Sequence, residues 1–148
     1  MKKVGTLCLV LLLLTSMMLP IQAISDNTQE IEVIHTRFGE YEVEVKTVIY
    51  ASASRSSSRS ADKLVSIKRD GKVIADVTLS ATFGYDGKTA WISNTGSSHT
   101  TYSGWSYGSE KITKSGGTAS LSATLSHLLY RNVPVNISLT CSPTGQIS

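Results

Sequence analysis

Residues 73–83 constrain the fold most, because they alternate almost without interruption between apolar and polar side chains. Every odd position is apolar, and every even position except Ile74 is polar. A period of two is typical of a β-strand with one buried face and one face in water. We therefore predict a strand whose odd-numbered side chains belong to the hydrophobic core.

Turn signals flank this strand on both sides. Asp70-Gly71 precedes it and Asp86-Gly87 follows it. Asp-Gly beside alternating apolar residues is a strong hairpin signal, because both residues tolerate the positive φ angles that tight turns require. The strand should therefore pair on both edges, with residues 64–68 before it and residues 89–93 after it.

Further strand candidates recur along the chain at short spacing. The longer ones cover residues 41–50, 119–125 and 133–141, and the shorter ones cover residues 30–34 and 110–114. Residues 94–108 lose the alternation, so we predict long loops there, with one short strand around residues 102–107.

The pattern contains about seven to nine strands, with no helix signal after the first 23 residues. It predicts an all-β fold: a single antiparallel β-sandwich of immunoglobulin-like architecture. A small closed β-barrel is the alternative, because periodicity alone does not distinguish the two.

The first 23 residues have the features of a secretory signal peptide. Lys2 and Lys3 precede an apolar stretch, and Ala23 supplies the small residue at a cleavage site. We predict cleavage after Ala23, secretion to the extracellular space, and one domain over residues 24–148. About 125 residues are enough for one domain with a hydrophobic core.

The charge balance argues against two classes of partner. Two of the 14 basic residues lie in residues 1–23, so 12 remain against 11 acidic ones, and the net charge is +1. A near-neutral chain lacks the electrostatic footprint of a nucleic-acid-binding protein. We expect no nucleic-acid partner and, after signal cleavage, no membrane partner. The oligomeric state is not predicted.

Residues 51–61 are rich in serine and arginine and have low complexity. Such a composition predicts a polar loop. The loop is a possible contact surface, in which Arg55 and Arg59 would offer contacts to phosphate or sulfate groups.

Cys141 is left as a lone cysteine once Cys8 departs with the signal peptide. It continues the odd-numbered apolar series of residues 133–141, which predicts a small buried side chain. The alternatives are a reactive thiol or an intermolecular disulfide.

Sequence motifs for catalysis are weak. Residues 104–108 fit the pattern G-x-S-x-G around Ser106, but the helix that should follow a nucleophile elbow is missing. His35, His99 and His127 are widely separated and lack metal-ligand spacing. We therefore expect a protein that is not an enzyme, with no catalytic residue, no metal and no cofactor.

Aromatic residues concentrate between positions 85 and 107, in segments rich in glycine, serine and threonine. Flat aromatic faces stack on sugar rings or anchor protein partners. The alternative is that the tryptophans fill the core, since a sandwich often buries a large aromatic residue. The candidate binding residues are Trp91, Tyr102, Trp105 and Tyr107.

Several landmarks together suggest a family. They are residues 77–87, Trp105, residues 114–119 and residues 137–142. In their order and turn chemistry the chain resembles small secreted proteins of Gram-positive anaerobic bacteria, a group without an assigned activity. The resemblance implies a secreted bacterial protein, and it implies no catalytic residue and no ligand.

From these features we expect a secreted, non-enzymatic extracellular binding module, whose ligand is a glycan or a surface protein. The alternative is a secreted inhibitor or toxin-like effector that acts through the exposed serine and arginine loop.

Overall fold

Eight β-strands account for most of the chain that the computed structural model describes, which is residues 30–50 and 57–148. The strands are β1 (Glu30–Phe38), β2 (Tyr41–Tyr50), β3 (Ser58–Arg69), β4 (Lys72–Tyr85), β5 (Ala90–Thr101), β6 (Ser106–Ser115), β7 (Thr118–His127) and β8 (Tyr130–Thr140). The predicted signal peptide lies outside the described residues, so it stays a prediction. Residues 30–50 and 57–148 contain no helix long and apolar enough to cross a membrane.

The strands form two antiparallel sheets, one in the order β1-β2-β3-β4-β5 and the other in the order β6-β7-β8. The smaller sheet packs on strands β3, β4 and β5 of the larger one. Strands β5 and β6 are not hydrogen-bonded to each other, so the sheets do not close into a barrel. The predicted β-sandwich is confirmed. Its strands follow one another as simple meanders, whereas immunoglobulin domains use Greek-key connections.

Strand β4 pairs on both edges, as its flanking turns predicted. Its odd-numbered side chains are buried at Ala75, Val77, Leu79, Ala81 and Phe83. The alternating residues of β7 and β8 supply the facing layer, with Leu121, Leu125, Val135, Ile137 and Leu139 all buried. Apart from Ile74 at the β-bulge near the start of β4, the core therefore consists of the odd-numbered faces of two sheets, as the period-two pattern predicts.

The charged side chain of Lys63 forms a hydrogen bond between the two sheets. Lys63 lies on the inner face of β3, in register with Leu79, and its Nζ donates a hydrogen bond of 2.8 Å to the carbonyl oxygen of Ser138. Burial lowers the pKa of Lys63. This bond satisfies a carbonyl on the outer edge of β8.

Two sequence predictions need correction. Residues 94–108 are not mainly loop, because β5 continues to Thr101 and β6 begins at Ser106. The predicted loop at 51–61 does not include residues 58–61, because these belong to β3: all four pair with β4, and residues 60 and 61 also pair with β2. Residues 51–56 lie outside the described part of the chain. Polar composition misled the prediction at both sites, since paired backbone does not require apolar side chains.

Cys141 is buried, with 3% of its surface exposed, as its place in the alternation predicted. Burial raises the pKa of its thiol, and the nearby Arg59 opposes that effect. A buried thiol with a raised pKa is a poor nucleophile.

Candidate binding surfaces

The outer face of the five-stranded sheet points away from the core and carries mainly hydroxyl, amide and carboxylate groups. On β4 it consists of the even-numbered positions from Asp76 to Gly84, and the register places matching residues of β3 and β5 beside them. Cross-strand pairs bring such side chains within about 5 Å of each other. The outer face is therefore a continuous polar surface.

Trp91 is the large exposed aromatic residue at one end of this face, with 46% of its surface exposed. It lies opposite Gly84 on β4. A Cβ atom added at Gly84 would be 2.3 Å from Cε2 and 2.6 Å from Nε1 of the Trp91 ring. The indole therefore lies directly over the glycine backbone, which has no side chain to push it away.

A β-bulge next to Trp91 changes which residues of β5 face outward. The register between β4 and β5 shifts between Thr82 and Phe83, which leaves Ser93 as the extra residue. The Ser93 hydroxyl donates to the carbonyl oxygen of Thr82 at 3.0 Å. As a result both Trp91 and Asn94 lie on the outer face.

A shallow groove of about 140 Å³ lies on the same face, and its lining residues Thr82 and Asn94 are the next outward-facing positions after Gly84 and Trp91. Its polar lining comes from three strands and includes Ser60, Asp62, Thr82 and Asn94. The hydroxyls of Ser60 and Thr82 are 2.9 Å apart. The groove thus offers both donors and acceptors, and Trp91 lies one outward-facing position beyond it along β5.

Tyr50 borders the groove on the side opposite Trp91. Its hydroxyl donates a hydrogen bond of 2.7 Å to Oδ2 of Asp62, and that bond, together with burial, raises the pKa of Tyr50. The carboxylate of Asp62 is thereby held in place. We call the surface formed by Tyr50, Ser60, Asp62, Thr82, Trp91 and Asn94 the Trp91 patch.

Tyr102, another of the predicted binding residues, is exposed but distant from the Trp91 patch. Thr101 pairs with Ala75, whereas Trp91 pairs with Gly84, nine residues further along β4. At about 3.3 Å per residue, this separation is about 30 Å. The Tyr102 hydroxyl donates to Oδ2 of Asp76 at 3.1 Å. Trp91 and Tyr102 therefore cannot form one platform.

Trp105 belongs to the core, which corrects its prediction as a binding residue. Only 6% of its surface is exposed. Its ring packs edge-on against Tyr41, with centroids 6.2 Å apart, and stacks on Tyr130 at 5.9 Å. Neither face of the indole is open, so Trp105 stabilises one end of the sandwich instead.

Tyr107 is half-buried between the two sheets, so it too is not an open platform. Its ring stacks on His99, with centroids 3.9 Å apart, and its hydroxyl donates to Glu110 at 2.6 Å. Burial, followed by that bond, raises the pKa of Tyr107. The same bond, with one from Ser97, lowers the pKa of Glu110. This polar cluster joins β5 to β6 where the sheets are not hydrogen-bonded.

The G-x-S-x-G match does not form a nucleophile elbow. Ser106 begins strand β6, and a second strand follows it, so the strand-to-helix turn that exposes such a serine is absent from this part of the fold. No group of three or more metal-ligating side chains occurs among the residues that the structure describes.

A larger cavity of about 640 Å³ lies at the same end of the sandwich as Trp91, lined largely by residues 140–148. Arg59 forms part of its wall and donates to the carbonyl oxygen of Gly145 at 3.1 Å. Arg59 is thus in strand β3 and half-buried, not on an exposed loop. The alternative function that depends on the serine and arginine loop stays a prediction, because residues 51–56 are outside the described chain.

Sequence reasoning named Trp91 as a candidate binding residue but did not name the residues around it. Tyr50, Asp62 and Asn94 come from three strands, and no spacing in the sequence connects them. Alternation alone could place Tyr50 or Asp62 on an outward face, but the bulge at Ser93 reverses the alternation before Asn94.

Comparison with known proteins adds no assignment, since no protein-family model, curated protein or solved structure matches the chain. The functional argument therefore depends on the geometry of the surfaces described above.

Proposed function

We propose that the protein is a secreted, non-enzymatic binding module that recognises a glycan at the Trp91 patch. One observation carries the proposal: an exposed indole ring lies over Gly84, and the next outward-facing positions along the same strands line a groove of hydroxyl, amide and carboxylate groups. Sugar rings present apolar C–H faces and polar hydroxyl edges. An aromatic face with hydrogen-bonding groups beside it complements both.

The size of the patch favours a chain of sugars over a single one. Trp91 lies on β5 and Tyr50 on β2, three strand spacings apart, which is about 14 Å. A ligand that reaches from one ring to the other crosses the strands and passes over Thr82 and Asp62. The surface is open and flat, so an oligosaccharide can enter from the side.

Affinity gel electrophoresis tests this proposal with hydroxyethyl cellulose, xylan or mucin in the gel. The protein should be retarded by at least one of them. Trp91→Ala should weaken that binding by about tenfold or more, because it removes the stacking surface. Gly84→Ala should also weaken it, since the added methyl group displaces the indole while the tryptophan remains present.

Tyr102→Ala is the matched control, because it removes an exposed aromatic residue about 30 Å away. It should bind as the unmodified protein does. Equal loss in the Trp91→Ala and Tyr102→Ala variants, or unchanged binding in Trp91→Ala, would refute the patch as the glycan site.

A further inference from the structure

The turn between β7 and β8 places two leucines in water. Leu128 is 97% exposed and Leu129 is 77% exposed, between the paired residues His127 and Tyr130. Two-residue hairpin turns favour asparagine, aspartate and glycine. The other hairpin turns of the described chain do contain glycine, at positions 39, 71, 87 and 116–117. Neither turn chemistry nor core packing accounts for two leucines here, and such a local conflict is typical of a functional position.

More apolar surface gathers at the same end of the sandwich, contributed by other turns. Phe38 at the end of β1 is 65% exposed, and Tyr102 after β5 is 43% exposed. Tyr130, which follows the leucines, is 41% exposed. We call Phe38, Tyr102, Leu128, Leu129 and Tyr130 the apolar end. It lies at the opposite end of the strands from the Trp91 patch.

The residues that flank the two leucines are packed against other side chains. Tyr130 is stacked on Trp105 with ring planes 10° apart, and the guanidinium of Arg69 lies 3.5 Å from the centre of the Tyr130 ring. His127 packs against both aromatic rings. The residues on both sides of the turn are thus packed, whereas Leu128 and Leu129 themselves remain in water.

Charged residues of both signs surround the apolar end. Arg69 is within 4 Å of the carboxylates of Glu40 and Asp70. Lys72 and Arg131 are exposed and form no ion pair within the described residues. The charge at this end is therefore mixed, and the feature that suits shallow insertion into a bilayer is the apolar tip with tyrosines beside it, which would lie at the level of the lipid headgroups.

We propose that the apolar end docks on a phospholipid bilayer by inserting Leu128 and Leu129. This differs from the expectation drawn from the near-neutral net charge, because insertion of apolar side chains does not require a polybasic surface. The proposal is independent of glycan recognition. In this orientation the Trp91 patch faces away from the membrane.

Flotation with vesicles of equal parts phosphatidylcholine and phosphatidylglycerol tests the proposal. The protein should float with the vesicles. The double variant Leu128→Ser/Leu129→Ser should have a vesicle partition coefficient at least about tenfold lower, because it loses the inserting groups. Its urea midpoint should equal that of the unmodified protein, since both side chains are outside the core.

Val33→Ser/Ile34→Ser is the matched control. It removes two half-exposed apolar side chains from strand β1 and should leave vesicle binding unchanged. Insertion itself is measured by tryptophan fluorescence of the double variant Leu128→Trp/Trp91→Phe. Emission from the tryptophan introduced at position 128 should shift to the blue when vesicles are added. Absence of flotation, equal flotation of the leucine double variant, or no blue shift would overturn the proposal.

Discussion

Replacing Leu79 by alanine tests whether the core face is the one described. Leu79 is fully buried, and its neighbours in register are Lys63 on β3 and Ser97 on β5. Its apolar contacts must therefore come largely from the facing sheet. Because two polar neighbours cannot fill the space that alanine would leave, we expect a loss of about 3 kcal/mol, within the range for buried leucine to alanine changes.

This loss is a large fraction of the total stability, which for a domain of this size is about 5–15 kcal/mol. Urea unfolding followed by tryptophan fluorescence should show a lower midpoint with an unchanged slope. Thr78→Ala, the next residue on the outer face, is the control and should change stability by no more than about 0.5 kcal/mol. If the two variants lost equal stability, the assignment of inner and outer faces would be wrong.

Two further predictions follow from the aromatic and carboxylate contacts. Tryptophan emission should have two components: Trp105→Phe should leave a red, readily quenched signal from Trp91, and Trp91→Phe should leave a blue, protected one. Acrylamide quenching measures both, and similar quenching in the two variants would contradict the burial described. The second prediction concerns acid. Because the pKa of Glu110 is lowered in the folded chain, its contribution to stability is present above its usual pKa near 4.5 and is lost as the pH falls through the lower folded value. Lowering the pH from neutral to acid should therefore reduce the urea midpoint more in the unmodified protein than in Glu110→Gln, and equal reductions would show that Glu110 is not linked to folding.

The strands with clean alternation could be predicted from the sequence, and the weakly patterned ones could not. Strand β4 is buried on one face and bounded by Asp-Gly turns, so hydrophobic period and turn chemistry point to the same structure. Strand β5 beyond the bulge carries threonine, serine and histidine on its inner face, at Thr95, Ser97 and His99. That side meets the polar cluster of Tyr107 and Glu110, so local hydrophobicity gave no signal for a strand.

The candidate site shows the same division. Trp91 is conspicuous in the sequence, but whether its ring faces water depends on Gly84, which lies seven positions away in sequence and directly opposite on β4. Trp105 lies in a glycine-rich segment that looks exposed, and the sheet contacts of Tyr41 and Tyr130 bury it. The exposure of an aromatic residue therefore depends on the residues packed against it, which come from the paired strand for Trp91 and from the other sheet and a neighbouring turn for Trp105.

By itself the sequence determined the all-β class, the hairpin around Asp70-Gly71, the core face of β4 and the burial of Cys141, because each depends on local period or turn chemistry. The tertiary structure alone decided the division into sheets of five and three strands, the register at the bulge, and the gathering of Tyr50, Asp62, Thr82 and Trp91 on one face. It also decided that Leu128 and Leu129 project into water. These features depend on the exact register of neighbouring strands and on how one sheet packs against the other, and a period of two specifies neither.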